Sequence, residues 1–174
     1  MNKVQIENLV VSELNEMLET VSDADIEIVI NKIKAARNIV TIGAGRMGYS
    51  IKSFTMRLTH FGFNAFHLGD TNVQRITSDD LVIFASSSGE TPSNVILAQI
   101  ARASGAQIIC VTCNQDSTIA RLADYSVILK NIKSQQLMKT APEHATYMLY
   151  DMISCKIAES SDIKFVEHNH SILE

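Results

Sequence analysis

Five short apolar runs punctuate the chain, at residues 38–42, 64–67, 81–85, 107–112 and 125–129, and stretches of helical spacing alternate with them. A run such as Leu81-Val82-Ile83-Phe84-Ala85 is apolar on both faces, which suits a strand covered by helices above and below. Helical patterns fill residues 46–61, 92–104, 117–122 and 142–158. Neighbouring parallel strands need a crossover of this length, and a helix supplies it. The alternation therefore predicts an α/β fold: a doubly wound, five-stranded parallel sheet flanked by helices, of the flavodoxin-like kind. Apolar residues Val4, Leu9, Leu14 and Leu18, and the pair Ser22 and Asp25 as a cap, predict two N-terminal helices before the first strand. A length of 174 residues suits one domain, with helices over 1–37, the α/β core over 38–159 and a tail over 160–174.

Several function classes fall away on composition. Only 15 Lys and Arg against a net charge of −4 give no basic footprint for nucleic acid. No apolar run approaches the roughly 20 residues that span a bilayer, so no membrane partner is expected. The N-terminus lacks the basic start and apolar stretch of a secretory leader, which predicts a cytoplasmic protein. Cys110 and Cys113 have CxxC spacing but sit in or beside an apolar strand, with no second pair to complete a zinc site, so packing is the expected role. His144 beside Glu143 and the tail pair His168 and His170 have no companions at ligand spacing, and no metal is expected.

In a doubly wound sheet, ligands bind beyond the carboxyl ends of the strands where the winding reverses, which directs attention to the loops after the first and third strands. The first reads Gly43-Ala44-Gly45-Arg46-Met47-Gly48. It matches the G-x-G-x-x-G dinucleotide fingerprint, with Asp70 in range for a ribose. Against a dinucleotide, Arg46 offers a bidentate contact to a phosphate or carboxylate, and the chain has no second domain for a redox substrate. The same glycines also suit a tight turn that only packs helix on strand. The second loop, Ser86-Ser87-Ser88-Gly89-Glu90-Thr91-Pro92, joins strand to helix. Unpaired helix-start amides, the positive end of the helix dipole and hydroxyl groups together suit a phosphate, though Ser and Thr also make ordinary caps and turns.

The combination resembles the sugar isomerase (SIS) family of phosphosugar-binding domains, marked by a Gly-rich first loop and a Ser-Gly-Ser-Gly-Glu-Thr type second loop. The likeness is nearest to the 6-phospho-3-hexuloisomerase branch. It is carried by Gly43-Ala44-Gly45-Arg46, Met56-Arg57-Leu58-Thr59-His60-Phe61-Gly62, the Ser/Thr loop and the stretch from Met138 to Asp151. Met47 and Ser87 stand where that branch usually has Ser and Gly. The resemblance implies a homotetramer without a cofactor that interconverts a 3-hexulose 6-phosphate and fructose 6-phosphate, with Glu143 as the proton-transferring base. Other SIS isomerases acting on pentose or heptose phosphates, and a non-catalytic sugar-phosphate regulator, stay open as alternatives.

Moving a carbonyl between adjacent carbons requires abstraction of a proton beside it, an enediol and reprotonation next door. Glu143 follows Pro142 at a helix start, where the dipole favours a carboxylate, and a plain helix-end charge would look the same. His60 closes a helix, as either a proton-moving group or a favourable helix-end cation. Gly45, Arg46 and Met47, with Ser86, Ser87, Ser88, Gly89, Glu90 and Thr91, are the expected substrate-binding residues. Residues 130–141, without apolar pattern, suggest a mobile active-site loop. Val10, Val11 and Met17 on the first helix suggest an oligomer contact.

Overall fold

The computed structural model describes residues 1–161 together with Val166 and His170. The C-terminal tail with His168 otherwise lies outside the described residues. The elements run α1 (Lys3–Leu18), α2 (Asp23–Ala35), β1 (Ile39–Gly43), α3 (Gly45–His60), β2 (Ala65–His67), β3 (Leu81–Ala85), α4 (Pro92–Ala103), β4 (Gln107–Thr112), α5 (Thr118–Leu122) and β5 (Tyr125–Ile128). A 3₁₀ turn (Leu137–Lys139) then leads into α6 (Thr140–Ala158).

All five strands are parallel, in the order β2-β1-β3-β4-β5. The winding therefore reverses between β1 and β3, as the alternation predicts. Side chains divide by strand parity. Ile39, Leu81, Ile83, Ile109 and Val111 pack with Ile33, Ile51, Phe54 and Ile153 on the face covered by α2, α3 and α6. Val40, Val82, Phe84, Ile108 and Cys110 pack against Ala98, Ala101 and Ile119 of α4 and α5 on the other. Each fully buried Ile or Leu contributes about 1.5–3 kcal/mol. Cys110 is fully buried, and desolvation pushes its thiol up to about 12. No helix of the described residues is long and apolar enough to cross a membrane.

The N-terminal helices are tied to the sheet rather than appended to it. Reciprocal caps start both: Asn2 with Gln5, and Ser22 with Asp25. Met17, expected on the surface, is 1% exposed and joins the core, whereas Val11 is exposed at 52% and Val10 half-buried. Met17 lies four residues beyond Glu13, and the stripe Leu9, Glu13, Met17 turns inward because residues four apart share a helix face.

Candidate active site at the winding switch

Gly43 and Ala85 are register partners, so the loops after β1 and β3 leave the sheet side by side. The Gly-rich turn divides its glycines between two jobs. A Cβ on Gly43 would meet the Gly48 Cα at 2.9 Å, and one on Gly48 would meet the Gly43 carbonyl oxygen at 2.7 Å. This pair is packing, with strand and helix in backbone contact. Gly45 differs: its φ is +56° and open space surrounds it. Asp70 accepts the His67 N–H at 2.9 Å and pairs with Lys52 at 3.7 Å, which commits it to the end of β2.

Helix starts in this molecule fall into two kinds. α1, α2 and α5 are capped by the side chains of Asn2, Ser22 and Ser117. α3 and α4, which follow the two switch strands, have no side-chain cap. Their first-turn amides, including those of Arg46 and Met47, project from a positive dipole end where an anion is favoured. The Met47 side chain is 8% exposed and packs in the core, so only its backbone faces the turn.

The Ser/Thr loop is braced from within. Ser86, 3% exposed, accepts the Gly89 N–H on Oγ at 3.2 Å and on its carbonyl at 3.0 Å, and its Oγ lies 3.4 Å from Thr91 Oγ1. Ser87 is anchored by its carbonyl, which accepts from Thr112 Oγ1 at 3.1 Å and from the Cys113 N–H at 3.0 Å. The Ser88 hydroxyl accepts the Glu90 N–H at 3.2 Å. Gly89 has φ +64° and lies directly against Ser117. Glu90 turns away from the loop's hydroxyls: its Oε1 accepts the Thr118 N–H at 2.6 Å, and that bond holds the carboxyl below its ordinary value.

Glu143 stands in the first turn of α6 with its side chain 17% exposed. The Arg46 guanidinium donates to its carboxylate, and Ser50 Oγ donates to its backbone carbonyl at 2.8 Å. Arg46, expected to contact a phosphate or a sugar oxygen, is thus paired with the candidate base, and the start of α3 is pinned to the start of α6. The start of α6 borders two cavities, one through Pro142 and the other through Glu143. One of about 480 Å³ is lined by Ser87, Ser88, Asn114, Lys133, Ser134 and Pro142. The other, about 340 Å³, is lined by Arg46, Glu143, His144 and Tyr147. A larger cavity of about 700 Å³ lies beside Arg37 and Asp80, at the amino ends of the strands, opposite the carboxyl ends where ligands bind in such folds.

Within one chain His60 does not join this group. It ends α3 fifteen positions after Gly45, roughly 22 Å along the helix axis. There it is 5% exposed, with its ring 4.9 Å from that of His170. Among the described residues no group of three or more His, Cys, Asp or Glu is placed to hold a metal ion.

The segment before α6 is held in a way its sequence does not announce. Glu13 of α1 is 6% exposed and accepts from Ser134 Oγ at 2.7 Å, the Gln135 N–H at 2.7 Å and Gln136 Nε2 at 2.9 Å. Burial alone would raise its carboxyl, but these hydrogen bonds outweigh it and hold the group below its ordinary value. Lys130 adds ion pairs to Glu16 and Glu19 at 3.2 and 2.9 Å. Glu13 was detectable only as an acid placed on an inward stripe.

Comparison with known proteins agrees with this architecture. The SIS domain model matches residues 32–154. A 3-hexulose-6-phosphate isomerase of Bacillus subtilis is 30% identical over 172 residues, covering 91% of this chain and 93% of its own. One of Methanocaldococcus jannaschii is 32% identical over 133 residues, covering 76% and 73%. A solved structure from Methanococcus jannaschii, described as inferring a molecular function of 3-hexulose-6-phosphate isomerase, superposes with a TM-score of 0.88 at 25% identity, over 98% of this chain and 99% of that one. With its switch-point loops, its strand order and these relatives, the chain belongs to the SIS domain family.

Proposed function

We propose that this chain is a phosphosugar isomerase that interconverts a 3-hexulose 6-phosphate and fructose 6-phosphate. The observation that carries the reading is Glu143: a carboxylate at the first turn of α6, tied through Arg46 to the Gly-rich turn and the uncapped start of α3. The phosphate belongs with the Ser/Thr loop and the first turn of α4, where amides and hydroxyls meet the helix dipole. The relatives named 3-hexulose-6-phosphate isomerase support the choice of sugar.

In the 3-hexulose the carbonyl is at C3 and the transferable proton at C2. Glu143 takes the C2 proton, the electron pair forms the C2–C3 double bond of an enediol, and the same carboxyl returns the proton to C3. The hydroxyl proton of O2 passes to O3, which leaves the carbonyl at C2. No electrons leave the substrate, so no redox cofactor is needed. Arg46 then has two partners to exchange between: the Glu143 carboxylate and an oxygen of the bound sugar. His60 lies too far along α3 to reach Glu143 of its own chain, so in this reading it serves a site on another copy, within the homotetramer that the resemblance implies. The proposed setting is the cytoplasm.

The test is deuterium incorporation from heavy water into fructose 6-phosphate, followed by NMR. Label at C3 in the unaltered protein, lost in Glu143→Gln, is the expected result. Label at C1 would identify an aldose partner instead, and no label despite measurable sugar-phosphate binding would overturn the isomerase.

A further inference from the structure

The cleft beside the Ser/Thr loop has two walls of different origin. One is the loop itself, braced through its own backbone and β4. The other is the segment at residues 131–136, which has no regular structure and is fastened by a side chain from the opposite end of the sequence, Glu13. Lys133 sits on that second wall and lines the cleft with Ser87 and Ser88. No carboxylate among the described residues forms an ion pair with it, whereas Lys130, three positions earlier, has two. The Ser/Thr loop offers hydroxyls and amides but no cation, and Arg46 is engaged by Glu143. Lys133 thus lines the cleft as a cation without a carboxylate partner among the described residues.

We propose that Glu13 is a positioning residue: its buried carboxylate fixes residues 134–136 so that Lys133 faces Ser87 and Ser88 and pairs with the phosphate of the bound sugar. The identity of the anion rests on the phosphosugar reading above; the clamp itself rests on the three hydrogen bonds to Glu13. A carboxylate suits the task because its two oxygens accept from a hydroxyl, an amide N–H and a side-chain amide at once, fixing three consecutive residues with one buried group. Lys133 immediately precedes those three, so its backbone has little freedom left.

The experiment is an NMR titration with inorganic phosphate of the unaltered protein, Lys133→Met, Glu13→Ala and the double variant. Lys133→Met removes an exposed charge and leaves the fold untouched. It is expected to weaken phosphate binding by roughly tenfold or more, as loss of a charge-assisted contact does. Glu13→Ala should weaken it comparably, and the double variant should be no weaker than Lys133→Met, because Glu13 acts through Lys133. Glu13→Gln, which keeps an acceptor oxygen, should restore much of the affinity. Should Glu13→Ala fail to fold, Ser134→Ala with Gln136→Ala strips two donors from the clamp and is expected to give the same loss. Unchanged phosphate affinity in Lys133→Met overturns the proposal, as does a double variant whose loss is the product of the two single losses. The isomerase reading fails separately: absence of deuterium label at C3 with this phosphate pattern intact would remove the proposed reaction and leave the clamp standing.

Discussion

Replacing Gly89 with Ala tests how the Ser/Thr loop is held. At φ +64° an L-residue in the left-handed region costs about 1–2 kcal/mol. The added Cβ would also lie 2.0 Å from Ser117 Oγ and 2.4 Å from Ser117 Cβ. Ser117 is fully buried and its Oγ caps α5 by accepting the Ala120 N–H at 3.3 Å, so it has no outward rotation that preserves the cap. Losing that cap costs about 1 kcal/mol more, giving a total of about 2–3 kcal/mol. Urea unfolding followed by circular dichroism should show a lower midpoint at unchanged slope. Adding Ser117→Gly removes the collision at the cost of a few tenths of a kcal/mol and should recover about 1 kcal/mol, while the backbone strain persists. Phosphate affinity should follow the same order, since Ser86 and Ser88 hang on this turn. A Gly89→Ala protein within about 0.5 kcal/mol of the unaltered one would refute the reasoning, because ordinary surface changes fall in that range.

Other outcomes follow from the same geometry. Glu143→Gln should lower turnover by about 10²–10⁴-fold while sugar-phosphate affinity, read by calorimetry, stays close to that of the unaltered protein. Tyr150 is 2% exposed, its ring stacked on Phe54 at 4.5 Å, and its hydroxyl has no partner among the described residues. Tyr150→Phe should therefore raise stability by about 1 kcal/mol in thermal unfolding, and a loss of that size would mean the hydroxyl is satisfied. In acid, Glu13, Asp25 and Asp80 act together: burial raises each carboxyl, but hydrogen bonds outweigh it and hold all three below their ordinary values of 4.5, 3.8 and 3.8. The unfolded chain then binds more protons than the folded one, so this stability is present above about pH 4.5 and is lost as pH falls through the folded-state values. A denaturation midpoint that does not fall between pH 5 and pH 3 would contradict the assignment.

Architecture was legible because its signals are local and repeated. Each buried strand is a continuous apolar run, each crossover has helical spacing, and boundaries differ by one or two residues, as at β1, expected at 38–42 and found at Ile39–Gly43. The positions of the two switch loops follow directly from strand order. What those loops do to one another is less legible, because it depends on pairs far apart in sequence. Nothing near Arg46 announces Glu143, 97 positions away, as its partner. Gly89 reads as a turn residue, and its contact with Ser117 emerges only when α5 is packed. Glu90 reads as part of an anion-binding motif, yet its carboxylate is committed to the start of α5. The G-x-G-x-x-G spacing is ambiguous for a physical reason: close approach of a helix to a strand and close approach of a ligand both require a missing Cβ, and here Gly43 and Gly48 are used for the first.

The clamp on residues 134–136 also bears on the order in which the protein can be built. Its bond from the Gln135 N–H to Glu13 spans 122 positions, so the first helix leaves the ribosome long before its partners exist. Closing so long a loop costs entropy that only a formed sheet between the two ends can offset. A nascent chain that ends after β5 can already possess the switch-point loops and the half of the core under α4 and α5, yet it lacks one side of its cleft and the whole of α6, which completes the other half. The second wall and Glu143, the proposed base, are thus made together, in the quarter of the chain that follows β5.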